Sequence, residues 1–211
     1  MTYIENIFVM LATPLLASLL VVEGRPRLTT ISMLNGMACC LLSAYVNMFF
    51  IQWVGAGDVA GAVEVAPVVE ETIKLLPILF YLLVIEPSGE DARLAILFVA
   101  VGFATMESGF YLANADISEP VLLAMRGLGA SMMHLTCGIL MGLGLTHVWA
   151  QAWLKVAGTF GLLCFVITFH GIYNLLVAAG GAAQTVAVLL PALTLGVALT
   201  YRWWWHAANR E

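Results

Sequence analysis

Apolar residues run through this chain in blocks of about 20 residues, separated by short connections that contain glycine, proline and charged residues. A helix needs about 20 residues to cross about 30 Å of hydrocarbon, so blocks of this length predict membrane-spanning helices. Seven such blocks are found, at 4–22, 28–54, 63–85, 92–114, 121–149, 156–179 and 185–204. The pattern therefore predicts an all-α fold, a polytopic bundle of about seven transmembrane helices that forms a single domain over residues 1–211.

Composition supports the membrane class. Of the 211 residues, 62% are hydrophobic and only 10% are charged, which excludes a soluble globular domain. The net charge is −5 and the eight Lys and Arg residues nowhere form a run, so we expect no nucleic-acid partner. The lipid bilayer is the expected surrounding of most of the chain.

Basic residues predict the orientation, because short cytoplasmic loops are enriched in Lys and Arg. With seven spans, one side of the membrane receives six of them: Arg25, Arg27, Arg93, Lys155, Arg202 and Arg210. The loops of the other side carry acidic residues instead: Glu5, Asp58, Asp116 and Glu119. The amino terminus is therefore predicted to lie outside and the carboxyl terminus in the cytoplasm.

Five ionisable residues interrupt the apolar blocks: Glu70, Glu71, Glu107, His134 and His170. A charge at the centre of a membrane helix costs about 2.5–3.5 kcal/mol even on a lenient scale, so such groups are expected to face one another inside the bundle. At 1.5 Å of rise per residue, the four helices that carry them deliver all five to the outer half of the membrane. The agreement in depth predicts one shared site.

Helical spacing predicts which of these groups share a face. Glu70 and Lys74 are four residues apart, so we expect an ion pair between them, with Glu71 pointing about 100° away. His170 and Asn174 are one turn apart, which aims an imidazole and an amide in one direction. Each pair also has a purely structural interpretation, as a membrane salt bridge or as interhelical hydrogen bonding.

At these residues the chain resembles the PrsW family of intramembrane proteases. Four segments resemble that family's motifs in order: Glu70-Glu71-Thr-Ile-Lys74, Phe103 followed four residues later by Glu107, Arg126 through His134 to Gly142, and His170-Gly-Ile-Tyr-Asn174. The last is also similar to a motif of the wider superfamily of CAAX prenyl proteases and bacteriocin-immunity proteins. The second motif departs from the family pattern, because Ser108 stands after Glu107 where asparagine is usual. The resemblance covers residues 63–180, the expected catalytic core.

The resemblance implies an intramembrane endopeptidase of a prokaryotic plasma membrane. Its expected substrate is a membrane-anchored protein or peptide, such as an anti-sigma factor, cut near the outer face. Lys74, Arg126 and Tyr111 are expected to support the site: Arg126 by pairing with a loop carboxylate or gripping the substrate backbone, and Tyr111 by orienting Glu107 or by packing.

Two mechanisms fit these residues. Two histidines and one glutamate form a ligand set of catalytic zinc, so Glu107, His134 and His170 could hold Zn²⁺ while Glu70 or Glu71 acts as general base. In a metal-free version, implied by resemblance to the prenyl proteases, a glutamate and a histidine hold the water, and His170 and Asn174 donate to the oxyanion. The sequence leaves both mechanisms open.

Two other function classes also accommodate buried ionisable groups. A proton- or ion-coupled transporter uses carboxylates, lysine and histidine as relays, but it predicts inverted repeats and broken helices that the sequence does not display. A non-catalytic membrane scaffold of the same superfamily is the other alternative, and the presence of every motif group argues against it.

Overall fold

The computed structural model describes residues 3–114 and 120–208, with side chains described for 3–114 and 127–200. This part of the chain is helical and forms no strand, which confirms the predicted all-α fold. Its α-helices are α1 (Ile4–Ser18), α2 (Gly24–Val54), α3 (Asp58–Ala60), α4 (Ala66–Phe80), α5 (Gly89–Asn114), α6 (Pro120–Val148), α7 (Lys155–Ala179) and α8 (Gly181–Ala208). A π-helical turn precedes α4 (Gly61–Val65), another follows it (Tyr81–Ile85), and a 3-10 turn (Ala152–Leu154) leads into α7.

Five helical segments of the described residues are long and apolar enough to cross a membrane: Gly24–Val54, Gly89–Asn114, Gly127–Val148, Ala152–Ala179 and Gly181–Thr200. They coincide with five of the seven predicted spans and support a polytopic membrane protein. Helix α1 spans only about 22 Å at 1.5 Å per residue, and the predicted span at 63–85 combines charged residues with two π-turns. The count of seven and the outward amino terminus stay predictions.

Helices α2 and α5 lie in backbone contact, which two glycines permit. A Cβ atom on Gly36 would stand 2.0 Å from the carbonyl oxygen of Val99, and one on Gly102 would stand 2.0 Å from that of Met33. Small residues give membrane helices this close approach, and a larger side chain at either position would push the helices apart. Helix α2 is thus held against α5 and beside α4.

Two prolines, Pro67 and Pro77, interrupt the backbone hydrogen bonding of the helix that carries Glu70 and Glu71. A proline has no N–H, so it leaves the carbonyl four residues earlier without its helical donor. Pro67 frees the carbonyl of Val63 in the first π-turn, and Pro77 frees that of Ile73. The Cys39 thiol of α2 donates to the Ile73 oxygen at 3.5 Å, so the neighbouring helix satisfies one of the freed groups.

Helix α4 is packed on both sides, which places its polar residues inside the bundle. Val69 and Ile73 belong to one apolar cluster, together with residues of α1, α2 and α5. Leu75 and Ile78 belong to a second cluster, together with residues of α5, α6 and α7. The motif carboxylates lie between these two clusters.

Candidate active site

The structure brings together the ionisable side chains of four helices. Helix α4 contributes Glu70, Glu71 and Lys74, α5 contributes Glu107, α6 contributes His134 and α7 contributes His170. All are buried except Glu107, whose side chain is 19% exposed. The five groups singled out from the sequence therefore occupy one cluster, together with the lysine.

One oxygen of Glu71 receives two contacts. Its Oε1 lies 2.6 Å from Lys74 Nζ and 2.9 Å from His170 Nδ1. Since a carboxylate only accepts, Nδ1 of His170 carries the hydrogen and leaves Nε2 available on the opposite side of the ring. The predicted pairing of Lys74 with Glu70 is wrong: a lysine reaches the residue three before it as easily as the one four before it, and here it contacts Glu71.

His134 lies between a cation and a carboxylate. Its Nδ1 is 3.0 Å from Lys74 Nζ, and its Nε2 is 2.7 Å from Glu107 Oε2. An ammonium group only donates, so in this arrangement Nδ1 accepts and the Nε2–H donates to Glu107. The Phe103 ring packs against the imidazole with centroids 4.8 Å apart, and Lys74 Nζ lies 4.4 Å from the centre of the same ring. The contacts with Lys74, Glu107 and Phe103 together fix the orientation of the His134 ring.

The two carboxylate oxygens of Glu70 have different surroundings. Its Oε1 accepts from Asn47 Nδ2 at 3.3 Å, whereas Oε2 has no partner among the described residues. His170 Nε2 lies 3.9 Å from that oxygen, too far for a hydrogen bond. A buried charged oxygen without a partner is costly, so Oε2 is suited to receive a further group.

A metal ion fits this cluster by its donor atoms. Glu70, His134 and His170 each offer one ligand atom, and these atoms lie within 4.8 Å of one another. Two histidines and one carboxylate with a fourth position open are the ligands of catalytic zinc. Tetrahedral ligands at about 2.1 Å from zinc stand about 3.4 Å apart, so a small contraction of the group would suffice.

The formal charge of the cluster also favours a divalent cation. If all three carboxylates are ionised and both imidazoles are neutral, the carboxylates and the one ammonium together carry two net negative charges. Uncompensated charge is expensive to bury, and a single divalent ion would neutralise these two.

This ligand group differs from the predicted one in its carboxylate. The sequence prediction took Glu107, His134 and His170, whereas the atoms that converge in the structure include Glu70. Glu107 lies at hydrogen-bond distance from His134 and is the most exposed of the three site carboxylates. Which of the two carboxylates reaches the ligand group depends on side-chain conformation. Residue spacing along the sequence does not reveal that conformation.

A small cavity lies behind the cluster, lined by Glu71, Lys74, His134 and Cys137 and otherwise by apolar residues. Its volume of ≈ 20 Å³ is room for about one water molecule. A cavity of this size does not hold a peptide substrate, and Glu107 is the most exposed of the three site carboxylates.

Asn174 lies next to the cluster but its amide is directed elsewhere. Its Nδ2 donates to the carbonyl oxygen of Ala62 at 2.8 Å, in the π-turn before α4. Gly171, one turn earlier on α7, approaches the same turn, because a Cβ atom there would stand 3.3 Å from the Val63 oxygen. Both residues dock α7 on this turn, and the predicted contribution of Asn174 to the oxyanion stays a prediction.

The remaining support residues lie at the edge of the described site. Tyr111 is 46% exposed on α5, one turn beyond Glu107. The side chain of Arg126 lies outside the described residues, as do its predicted partners Asp116 and Glu119. Ser108, which stands where the family motif usually has asparagine, contacts Ser131 of α6 through their hydroxyl groups at 3.1 Å.

Sequence reasoning missed the contribution of α2. Cys39, Ser43 and Asn47 recur every four residues in this apolar helix and therefore share one face. Cys39 contacts Ile73 and Asn47 contacts Glu70, and both partners lie on α4. The repeat of polar residues in an otherwise apolar helix was the sequence signal that could have indicated this contact.

The chain is similar to one family of known proteins over most of its length. The family model described as PrsW family intramembrane metalloprotease matches residues 24–200, which extends beyond the motif-bearing region to include α2 and most of α8. No curated protein and no solved structure matches the chain. The matched region covers most of the chain and contains every residue of the cluster, so this integral membrane protein belongs to the PrsW family of intramembrane metalloproteases.

Proposed function

We propose that this protein is a metal-dependent endopeptidase that cuts a membrane-anchored protein substrate, such as an anti-sigma-factor-like regulator, near the outer face of the membrane. The observation that carries the proposal is the convergence of Glu70, His134 and His170, with one Glu70 oxygen that has no hydrogen-bond partner in the described part of the chain. The outer location rests on the orientation predicted from the basic residues.

Glu70, His134 and His170 would hold the metal, for which zinc is the leading candidate. When bound, zinc supplies an activated water at neutral pH and polarises the carbonyl of the scissile peptide bond. His134 has both ring nitrogens in contact with protein groups, so its use as a ligand requires one of these contacts, with Lys74 or with Glu107, to open.

Glu71 and Lys74 orient the ligands. Glu71 accepts the Nδ1–H of His170 and so directs Nε2 of that ring toward Glu70. Carboxylates that hold a ligating histidine in this way commonly set its tautomer and ring orientation. Lys74 balances the charge of Glu71 at 2.6 Å. Glu71 is therefore assigned an orienting role, not the general-base role considered from the sequence.

Glu107 is the group that we assign to proton transfer. It is the most exposed of the three carboxylates, and its contact with His134 keeps it at the edge of the ligand group. A general base takes a proton from the attacking water, and the same carboxyl group can then deliver a proton to the leaving amine. This assignment exchanges the roles that the sequence gave to Glu107 and to the Glu70–Glu71 pair.

The test combines metal analysis with proteolysis of a single-span substrate by the full chain in nanodiscs. We expect about one zinc per chain, loss of cleavage with chelator and recovery with Zn²⁺. The variants Glu70→Ala and His170→Ala should lose both metal and cleavage. Glu64→Ala and His147→Ala are matched controls, because both residues are exposed and lie outside the cluster. Full cleavage by metal-free protein would contradict the metal-dependent mechanism and favour the glutamate–water version. Full cleavage by His170→Ala would contradict the site itself.

A further inference from the structure

A polar face of α2 borders the candidate metal site. Cys39, Ser43 and Asn47 recur every four residues, and the first and last of them contact α4. The Asn47 contact is with Glu70, the carboxylate of the candidate ligand group. Helix α2 thus provides a direct neighbour of a candidate ligand, although none of the four motifs lies on α2.

The two oxygens of Glu70 have different surroundings. Oε1 accepts a hydrogen bond from Asn47, and Oε2 lies 3.9 Å from His170 Nε2 without a hydrogen-bond partner among the described residues. The terminal torsion of a glutamate is broad and roughly two-fold, so nothing intrinsic to the side chain keeps the carboxylate in one position. The contact with Asn47 removes this freedom by occupying one oxygen.

The orientation of the Asn47 amide is set by charge. Its Nδ2 faces Glu70, and the reverse orientation would place Oδ1 against a carboxylate oxygen. In the observed orientation Oδ1 is buried and has no hydrogen-bond partner within the described part of the chain. A buried acceptor of this kind costs about 1–3 kcal/mol. A leucine of similar size would avoid that cost but would leave Oε1 of Glu70 without this donor, so the asparagine is explained by the carboxylate that it holds.

We propose that Asn47 is a positioning residue, which holds Oε1 of Glu70 so that Oε2 is presented to the metal. The inference rests on the proposed function, because it takes Glu70 as a metal ligand. Groups that hydrogen-bond to a ligating side chain typically change metal affinity by about 10- to 100-fold when they are removed. A role limited to joining α2 and α4 predicts a change in stability and none in metal affinity.

The experiment measures the affinity of the full chain for Zn²⁺ in detergent by competition with a chromophoric chelator. Asn47→Leu removes the donor at similar volume, and Asn47→Ala is the second variant in case the larger side chain disturbs folding. Ser43→Ala is the matched control: Ser43 is buried one turn away on the same face, and its hydroxyl has no hydrogen-bond partner among the described residues. The stability of each metal-free variant is measured in parallel.

We expect both Asn47 variants to raise the Kd for Zn²⁺ by about 10- to 100-fold, with Ser43→Ala at the wild-type value. Saturating Zn²⁺ should then restore most of the cleavage rate, with KM for the substrate unchanged. Wild-type affinity in both Asn47 variants would overturn the inference. The Glu70→Ala variant distinguishes failure of this inference from failure of the proposed function. If Glu70→Ala loses zinc binding while the Asn47 variants bind zinc normally, only the role of Asn47 is refuted. If Glu70→Ala itself binds zinc normally, the proposed ligand group is refuted.

Discussion

The ion pair between Glu71 and Lys74 allows a quantitative test of the buried cluster. Their side chains are 5% and 6% exposed and their charged atoms are 2.6 Å apart. Removing one partner of a buried ion pair costs about 3–5 kcal/mol, because the other charge is left uncompensated. Replacing both partners by uncharged groups of similar size is often close to neutral. We therefore expect strong non-additivity in a double-mutant cycle of Glu71→Gln and Lys74→Met.

The contacts indicate which of the two single variants should lose more stability. In Glu71→Gln, the lysine keeps His134 at 3.0 Å and the Phe103 ring at 4.4 Å, so the cost should lie near the lower end of the range. In Lys74→Met, Glu71 keeps its hydrogen bond with His170 at 2.9 Å, while His134 Nδ1 stands 4.0 Å away, and the cluster loses a positive charge. The cost should then lie near 5 kcal/mol.

The assay is reversible unfolding of the full chain in mixed micelles with chelator present, since bound metal would add its own stabilisation. We expect the double variant to be at least about 3 kcal/mol more stable than the sum of the single effects predicts. The pair of Arg25 and Glu90 is the control, because its side chains are 63% and 70% exposed at 2.7 Å. Its coupling should be far smaller than that of the buried pair, because water and salt screen exposed charges. Additive effects at Glu71 and Lys74 would refute the assigned pairing.

Three further predictions follow from individual contacts. Glu107→Gln should keep the oxygen that accepts from His134 and retain zinc, while the cleavage rate falls by about 10²- to 10⁴-fold; a loss of zinc on metal analysis would instead make Glu107 a ligand. Gly102→Val should prevent α2 from packing on α5, because its Cβ would stand 2.0 Å from a carbonyl oxygen, and folded yield by size exclusion should collapse. Asn174→Ala should destabilise the protein by about 1 kcal/mol through the lost bond to Ala62, and unchanged unfolding would contradict that role.

Much of the fold could be predicted because the signals are local. A block of about 20 apolar residues has one favourable structure in lipid, since its backbone groups must bond within the segment. Five predicted spans coincide with helices long enough to cross a membrane. The span at 63–85 was harder, because π-turns flank α4 on both sides and a hydropathy window does not register them.

The gathering of the site residues could also be predicted, because ionisable groups in membrane helices face the interior of the bundle and one another. Which residues pair with each other inside the cluster could not be predicted. Residues three and four positions apart are both within reach of Lys74, and the choice of Glu71 depends on His170 from a helix distant in sequence. Glu70, which we propose as the ligand, is likewise contacted by Asn47, a residue that no motif contains.

The prolines beside the motif helix link its sequence to the packing of the site. Pro67 and Pro77 stand three residues before Glu70 and three after Lys74, and each frees a carbonyl of the preceding turn. Helices α7 and α2 approach these two positions, α7 through Gly171 and α2 through Cys39. Because His170 adjoins Gly171 and Asn47 follows Cys39 by two turns, the same contacts bring both side chains to Glu70. The breaks in the helical hydrogen bonding therefore help to determine which side chains surround the carboxylate.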